Sequence, residues 1–368
     1  MYNRVKQRLG FAQAVLWILY LVYLIAGGAH DIRGLVLAAG GGPVVWVALY
    51  FIVAAGVFEF ISLPFTVASG YFIEKKFGQL AQTAKAWTWD LVKAQAVGMV
   101  LGLLAVELLY VFIRSAGTWW WLWAGGAFAL FFVVLAQITP VLILPVFYKF
   151  RKMDDQPLTG RLIALCQRAG ARVMGIYIWD LASKTRRVNA ALVGLGSTRR
   201  VILADGLISG FTPSEVEVVL AHELGHHRLY HLPQILIINV AVALAAFYVA
   251  DVAFRLIGPS LGFPDMADVG GMPLLAVVFT VVVFCSLPLV NGMSRLLEYQ
   301  ADLYALRLTG LVGSFISAME RLAAYNLAEL KPSPWMEFLF HSHPTPAKRI
   351  EAAKRFRRTE MRNTDAVH

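Results

Sequence analysis

Six apolar stretches, at 11–28, 43–66, 94–113, 118–146, 232–250 and 272–294, decide most of what this chain can fold into. Each is long enough to cross a hydrocarbon layer about 30 Å thick as a helix, the form in which every backbone polar group is satisfied within the segment. The composition agrees. Hydrophobic residues make up 58% of the chain and charged residues 15%, against about a quarter charged in soluble domains. The expected fold class is a mainly α-helical polytopic membrane protein with about six transmembrane helices. The first stretch lies too far from a small-residue cleavage pattern to read as a removed signal peptide, so it counts as a span.

Lysine and arginine placement sets the expected orientation. Arg4, Lys6 and Arg8 precede the first stretch, Lys75, Lys76, Lys85 and Lys93 fall between the second and third, and Lys149, Arg151 and Lys152 follow the fourth. The intervening connections carry few positive charges. Both termini and the segment 148–231 are therefore expected in the cytoplasm, of a bacterial cell by its inner membrane or of a eukaryotic cell by its endoplasmic reticulum. The net charge of +10 follows from this topology and from contact with anionic membrane lipids. No aromatic or motif signal points to nucleic acid as a partner.

Only 148–231 resembles soluble sequence. It reads as a helix over 158–170, a strand at 176–179, and a hairpin of 189–195 with 201–203 around Gly196 and Ser197. The organisation expected is a four-span region at 1–147, a cytoplasmic α+β segment at 148–231, two further spans at 232–294 and a carboxy-terminal region at 295–368. Cys166 and Cys285 are the only cysteines, and their placement implies no disulfide.

Within the α+β segment stands His222-Glu223-Leu224-Gly225-His226, the zincin signature. Histidines four apart on a helix stand one turn above each other, so both rings can reach one divalent ion. Such an ion would lower the pKa of a bound water towards neutrality, and Glu223 would take the proton as hydroxide attacks a carbonyl. The helix has its start written in: Thr212 as N-cap, Pro213 at the first helical position and Glu215 returning to the cap. Pro233 is expected to end or kink it. A zinc ligand ten residues after His222, as one protease class has, is excluded because Leu232 stands there. His231, about half a turn off, is expected to point away and to act in packing or in support of a ligand. Glu298 is the better third ligand, with Asp302 one turn on to accept the other ring N–H of a histidine ligand and set its tautomer. The complement is one Zn2+ per chain. Because the motif and Glu298 sit four to six residues from apolar stretches, the zincin-type region is expected at the cytoplasmic membrane boundary, and Glu59, Glu107 and Asp251 near the spans become chamber-wall or helix-pairing candidates.

Several stretches together resemble the Ste24-type integral-membrane zinc metalloproteases of family M48, which include the CAAX prenyl endopeptidases and stand near the HtpX-type quality-control proteases. They are residues 72–78 and 144–150, Asn189-Ala190, the run from His222 to His231, that from Ser294 to Asp302, and His341-Ser342-His343-Pro344 with Arg349. The resemblance implies a membrane zinc endopeptidase whose helices ring a cavity. It implies that His343 bonds the developing oxyanion, that Arg349 helps hold substrate or ligands, and that Asn189 lies on an edge strand that binds the substrate backbone. The implied partner is a peptide or protein substrate, prenylated proteins included. An HtpX-like role on damaged membrane proteins is the alternative, and a metal-binding transporter or sensor the non-enzymatic one. Where the family often carries tryptophan after the second histidine this chain has His227, expected to be turned off the ligand face. Oligomeric state is not read from the sequence.

Overall fold

Backbone hydrogen bonding continues a helix past the end of its apolar stretch, and the six spans are accordingly longer than their hydrophobic runs. The computed structural model describes residues 1–194, 199–263 and 265–365. Among these, six helical segments are long and apolar enough to cross a membrane: Tyr2–Ala38, Pro43–Lys76, Ala84–Ser115, Gly117–Phe147, His231–Ile257 and Val269–Thr309. The chain separates into two compact units.

The first unit comprises residues 1–76, 83–135 and 238–286. Its interior is built from Val47, Tyr50, Tyr110, Trp120, Phe247 and Phe254. Large apolar side chains also cover its outside, Phe60 and Leu256 at 76% exposure each, which water would oppose and lipid tails accept. The charged groups in or near its spans resolve individually. Asp251 is buried and accepts from Trp120 Nε1 at 2.7 Å and from Arg255 Nε at 2.9 Å, so it is an ordinary satisfied pair. Glu59 accepts from Gln95 Nε2 at 2.6 Å, a bond between two spans. Both carboxylate oxygens of Glu107 are buried without a hydrogen-bond partner among the described residues.

The second unit comprises residues 77–82, 136–237 and 287–368. A four-stranded mixed sheet lies in it, with β1 (Phe150–Lys152), β2 (Ile176–Trp179), β3 (Ala190–Val193) and β4 (Arg200–Ala204) in the spatial order β1-β2-β4-β3. β2 and β4 run parallel, and the outer pairs are antiparallel. The expected 189–203 hairpin is the β3–β4 pair; its turn at Gly196-Ser197 lies outside the described residues. β1 was not expected, because three residues are too short for alternation to register. The helix Gln156–Arg168 buries Leu158, Leu162 and Leu165, which join Ile176, Val201 and Leu203 of the sheet and Val216, Leu220 and Leu224 of the helix Pro213–Arg228 in one core. Removing any one of these leucines to alanine would leave a cavity costing about 2–5 kcal/mol.

The Pro213–Arg228 helix begins as its sequence dictates. Thr212 Oγ1 accepts from the Glu215 N–H at 3.3 Å while Glu215 Oε2 accepts from the Thr212 N–H at 2.7 Å, a reciprocal cap worth about 1 kcal/mol. Its end departs from expectation. The helix stops at Arg228, Tyr230 adopts a left-handed φ of 55°, and a new helix starts at His231. Pro233 does not terminate anything: it occupies the first turn of the following helix, where a missing N–H costs no bond. The basic carboxy-terminal residues form the helix Pro346–Asp365.

Candidate metal centre

Helical spacing does for His222 and His226 what the motif requires, bringing their Nε2 atoms to 3.1 Å from each other. The helix Met272–Thr309 supplies the third group: Glu298 places Oε1 3.2 Å from His226 Nε2 and Oε2 3.4 Å from His222 Nε2. The three donor atoms lie within 4.8 Å of one another. Behind them, His222 Nδ1 donates to Asp302 Oδ1 at 2.8 Å, which directs Nε2 and its lone pair inward. Arg349 binds Asp302 through Nε at 2.8 Å and through a second guanidinium nitrogen. His343 donates from Nδ1 to Glu298 Oε1 at 3.0 Å. Glu223 stands half-buried beside them.

Electrostatics favour a cation at the centre of this group. Burial alone would depress the His222 imidazole, but its bonds to Asp302 and Glu298 outweigh burial and raise its pKa to about 9. Burial pushes the Glu223 carboxyl above its ordinary range, offset in part by the two histidines. With both imidazoles neutral, as metal ligation requires, three carboxylates, Glu223, Glu298 and Asp302, face one guanidinium, Arg349, leaving two formal negative charges. Among the described residues Glu298 Oε2 is buried without a hydrogen bond, with His222 Nε2 standing off at 3.4 Å, a costly state for a carboxylate unless something else satisfies it. Two imidazoles and one carboxylate are the donor set of a hydrolytic zinc site with a position left open. The residues fit a divalent metal.

His222, Glu223, His226, Glu298, Asp302, His343 and Arg349 are thus joined by contacts or by charge. Asn189 is exposed just before β3, which packs against the helix of His222 and His226; its Oδ1 accepts from the Ala190 N–H at 2.9 Å. His227 is outside the donor cluster and lines a pocket with Arg199, Arg228 and Tyr230. Two residues that the sequence did not single out hold the segment before His343. Arg295 donates to the carbonyls of Glu337 at 2.9 Å and His341 at 2.6 Å, and Asn291 to that of Leu339 at 2.6 Å. Only their position on the helix of Glu298 could have hinted at this.

Comparison with known proteins accords with the geometry. Residues 156–357 match peptidase family M48, over half of the chain. The chain belongs to peptidase family M48. Residues 1–149 of this M48 peptidase match the CAAX prenyl protease N-terminal region, described as five membrane helices. It is 27% identical over 365 residues to the uncharacterized metalloprotease YhfN of Bacillus subtilis, covering 96% of this chain and 84% of the relative. It is 28% identical over 313 residues to CAAX prenyl protease 1 of Saccharomyces cerevisiae, covering 79% and 68%. Its fold is that of the crystal structure of Ste24p from S. mikatae, with a TM-score of 0.83 over 96% of this chain and 85% of that one at 22% identity. The protein is a multi-pass membrane metallopeptidase.

Two expected results arise from the packing around the M48 motif. Gly225, between the histidines, faces the backbone of the Glu298 helix. A Cβ there would lie 3.1 Å from both Cα and O of Ala301 and 3.2 Å from Tyr304 Cδ1, and a backbone neighbour cannot rotate away. Gly225→Ala is expected to part the two helices by a few tenths of an ångström and to cost about 1–3 kcal/mol. Calorimetric unfolding and chelator competition should show lower stability and weaker metal binding together. Arg349→Lys keeps the charge but loses the two-pronged grip on Asp302. With Asp302 almost wholly buried, a loss of about 1–3 kcal/mol is expected, read as a lower unfolding midpoint.

Proposed function

We propose that this metallopeptidase holds one zinc ion through His222 Nε2, His226 Nε2 and Glu298, and hydrolyses peptide bonds in membrane-associated protein substrates with Glu223 as general base. The observation that carries the reading is the convergence of those three donor atoms within 4.8 Å of one another, with Glu298 Oε2 buried and without a hydrogen bond among the described residues. Zinc supplies Lewis acidity at a carbonyl oxygen and at a water. Glu223 takes a proton from the attacking water and returns it to the amine that leaves, which balances the hydrolysis. Asp302 holds His222 in the tautomer that offers Nε2, and Arg349 holds Asp302 while carrying a positive charge near the site. His343 commits Nδ1 to Glu298, so as the doubly protonated imidazolium it has Nε2–H left to donate to a developing oxyanion. β3 is an edge strand of the sheet; an extended substrate added there, beginning at Asn189, would present its backbone as β-strands do in other peptide-binding proteins.

The substrate class proposed is proteins with a prenylated CAAX-type carboxy terminus, supported by the CAAX prenyl protease relatives and by the match over residues 1–149. The lysine and arginine distribution supports placing the catalytic region and both termini on the cytoplasmic side of a cell membrane. The test is zinc content of the purified protein together with cleavage of one fluorogenic peptide, prenylated and unprenylated. Stoichiometric zinc and a preference for the prenylated peptide are expected. A protein without zinc would sink the metal reading, and equal cleavage of both peptides would remove the prenyl dependence and leave general proteolysis of membrane proteins.

A further inference from the structure

His231 should face away from the metal. Five residues beyond His226 on an unbroken helix it would lie about 140° round the axis. The break at Leu229 and Tyr230 undoes this. With Tyr230 left-handed at φ 55°, the chain changes course between the helices and the first residue of the next one meets His226 of the motif. His231 is 1% exposed, its ring centroid 5.0 Å from that of His226 with the planes at 79°. Its Nδ1 lies 2.9 Å from Nδ1 of His226, and its Nε2 lies 3.2 Å from Oε1 of Gln300.

With a metal on His226 Nε2, these contacts take one proton arrangement. A His226 that gives the Nε2 lone pair to a metal carries its proton on Nδ1, and that proton points at His231 Nδ1. His231 must then accept there and carry its own proton on Nε2, which donates to the amide oxygen of Gln300. Gln300 lies two residues after Glu298 on the same helix, so one helix provides a metal ligand and also terminates the relay behind another. The two histidine ligands are consequently supported differently. His222 donates to the Asp302 carboxylate, whereas His226 donates to a neutral imidazole backed by an amide, which orders the ring without adding a fourth negative charge.

We propose that His231, seconded by Gln300, is a positioning residue that fixes His226 as the Nδ1–H tautomer and so presents Nε2 to the metal; the role rests on the zinc site proposed above. The experiment uses the full-length protein in detergent, with zinc affinity measured by chelator competition and the visible absorption of the cobalt-substituted protein recorded for wild type, His231→Phe, His231→Asn and Gln300→Leu. Phenylalanine keeps the ring volume and removes the acceptor, whereas the Asn amide oxygen can stand where Nδ1 stood. Loss of such outer support costs about 10–100-fold in metal affinity. His231→Phe is expected to fall in that range with an altered cobalt spectrum, His231→Asn to remain within about threefold of wild type, and Gln300→Leu, at an exposed position, to lie between them. Wild-type affinity in His231→Phe, or equal impairment of Phe and Asn, overturns the relay, since a packing role would favour Phe. A wild type that binds no zinc overturns the metal reading and this role with it, while zinc in the wild type with an unaffected Phe variant overturns this role alone.

Discussion

Glu223→Gln is expected to lower peptide hydrolysis by about 10²–10⁴-fold while leaving zinc content at the wild-type level. The substitution keeps the side chain's shape and removes its ability to take a proton. Glu223 is not among the three converging donors, so the metal has no reason to leave. Burial raises its carboxyl above the ordinary range, the direction a base working near neutrality needs. Paired zinc analysis and turnover rates are the check. Activity near wild type would remove Glu223 from the chemistry, and loss of zinc along with activity would make it a ligand instead.

Glu298→Ala should have the opposite signature, losing metal first and activity as a consequence. Structural zinc binding of about 10–16 kcal/mol shared among four positions implies several kcal/mol per ligand, so affinity is expected to fall by on the order of 10²-fold or more. Stability should report the same event. In the wild type a metal held at this site would neutralise the excess of buried carboxylates, and a ligand that binds only the folded state raises the unfolding midpoint by mass action. Chelation is therefore expected to lower the wild-type midpoint and to leave that of Glu298→Ala almost unchanged, because the variant holds little metal and has already lost one of the crowded negative charges. Differential scanning calorimetry with and without chelator decides it. An equal response in both proteins would place the stabilising metal elsewhere.

The two kinds of residue in this site were unequally legible. His222, Glu223 and His226 are read from five consecutive letters because helix geometry converts spacing into direction, and the Thr212 to Glu215 cap guaranteed the helix. Glu298 and Asp302, some 70 residues away, were reached only by asking what two histidines lack. Arg349 and His343 needed the family resemblance, since a Pro-rich segment has no periodicity from which to infer where a side chain goes. Gly225 stood inside the motif, yet its closeness to Ala301 is a property of two helices in contact. Arg295 and Asn291 act through carbonyls of a segment more than 40 residues later.

His231 marks the boundary most clearly. Regular helical geometry turned it away from His226, and that expectation was sound for the helix assumed. A single left-handed residue, Tyr230, changed the outcome. No apolar periodicity announces such a turn, because its cost is offset by contacts that exist only after the next helix has packed.

By itself the sequence determined the membrane spans, the class of metal chemistry and the identity of the chemical groups. Transfer of apolar side chains from water and the pitch of an α-helix act within about 20 residues, so they can be read from any window of that length. Tertiary structure alone decided how those groups are aimed: at what distance Glu298 meets the two histidines, that Arg349 grips Asp302, and which histidine stands behind another. Those outcomes depend on contacts between elements far apart in the chain, whose free energies exist only once both partners are buried together.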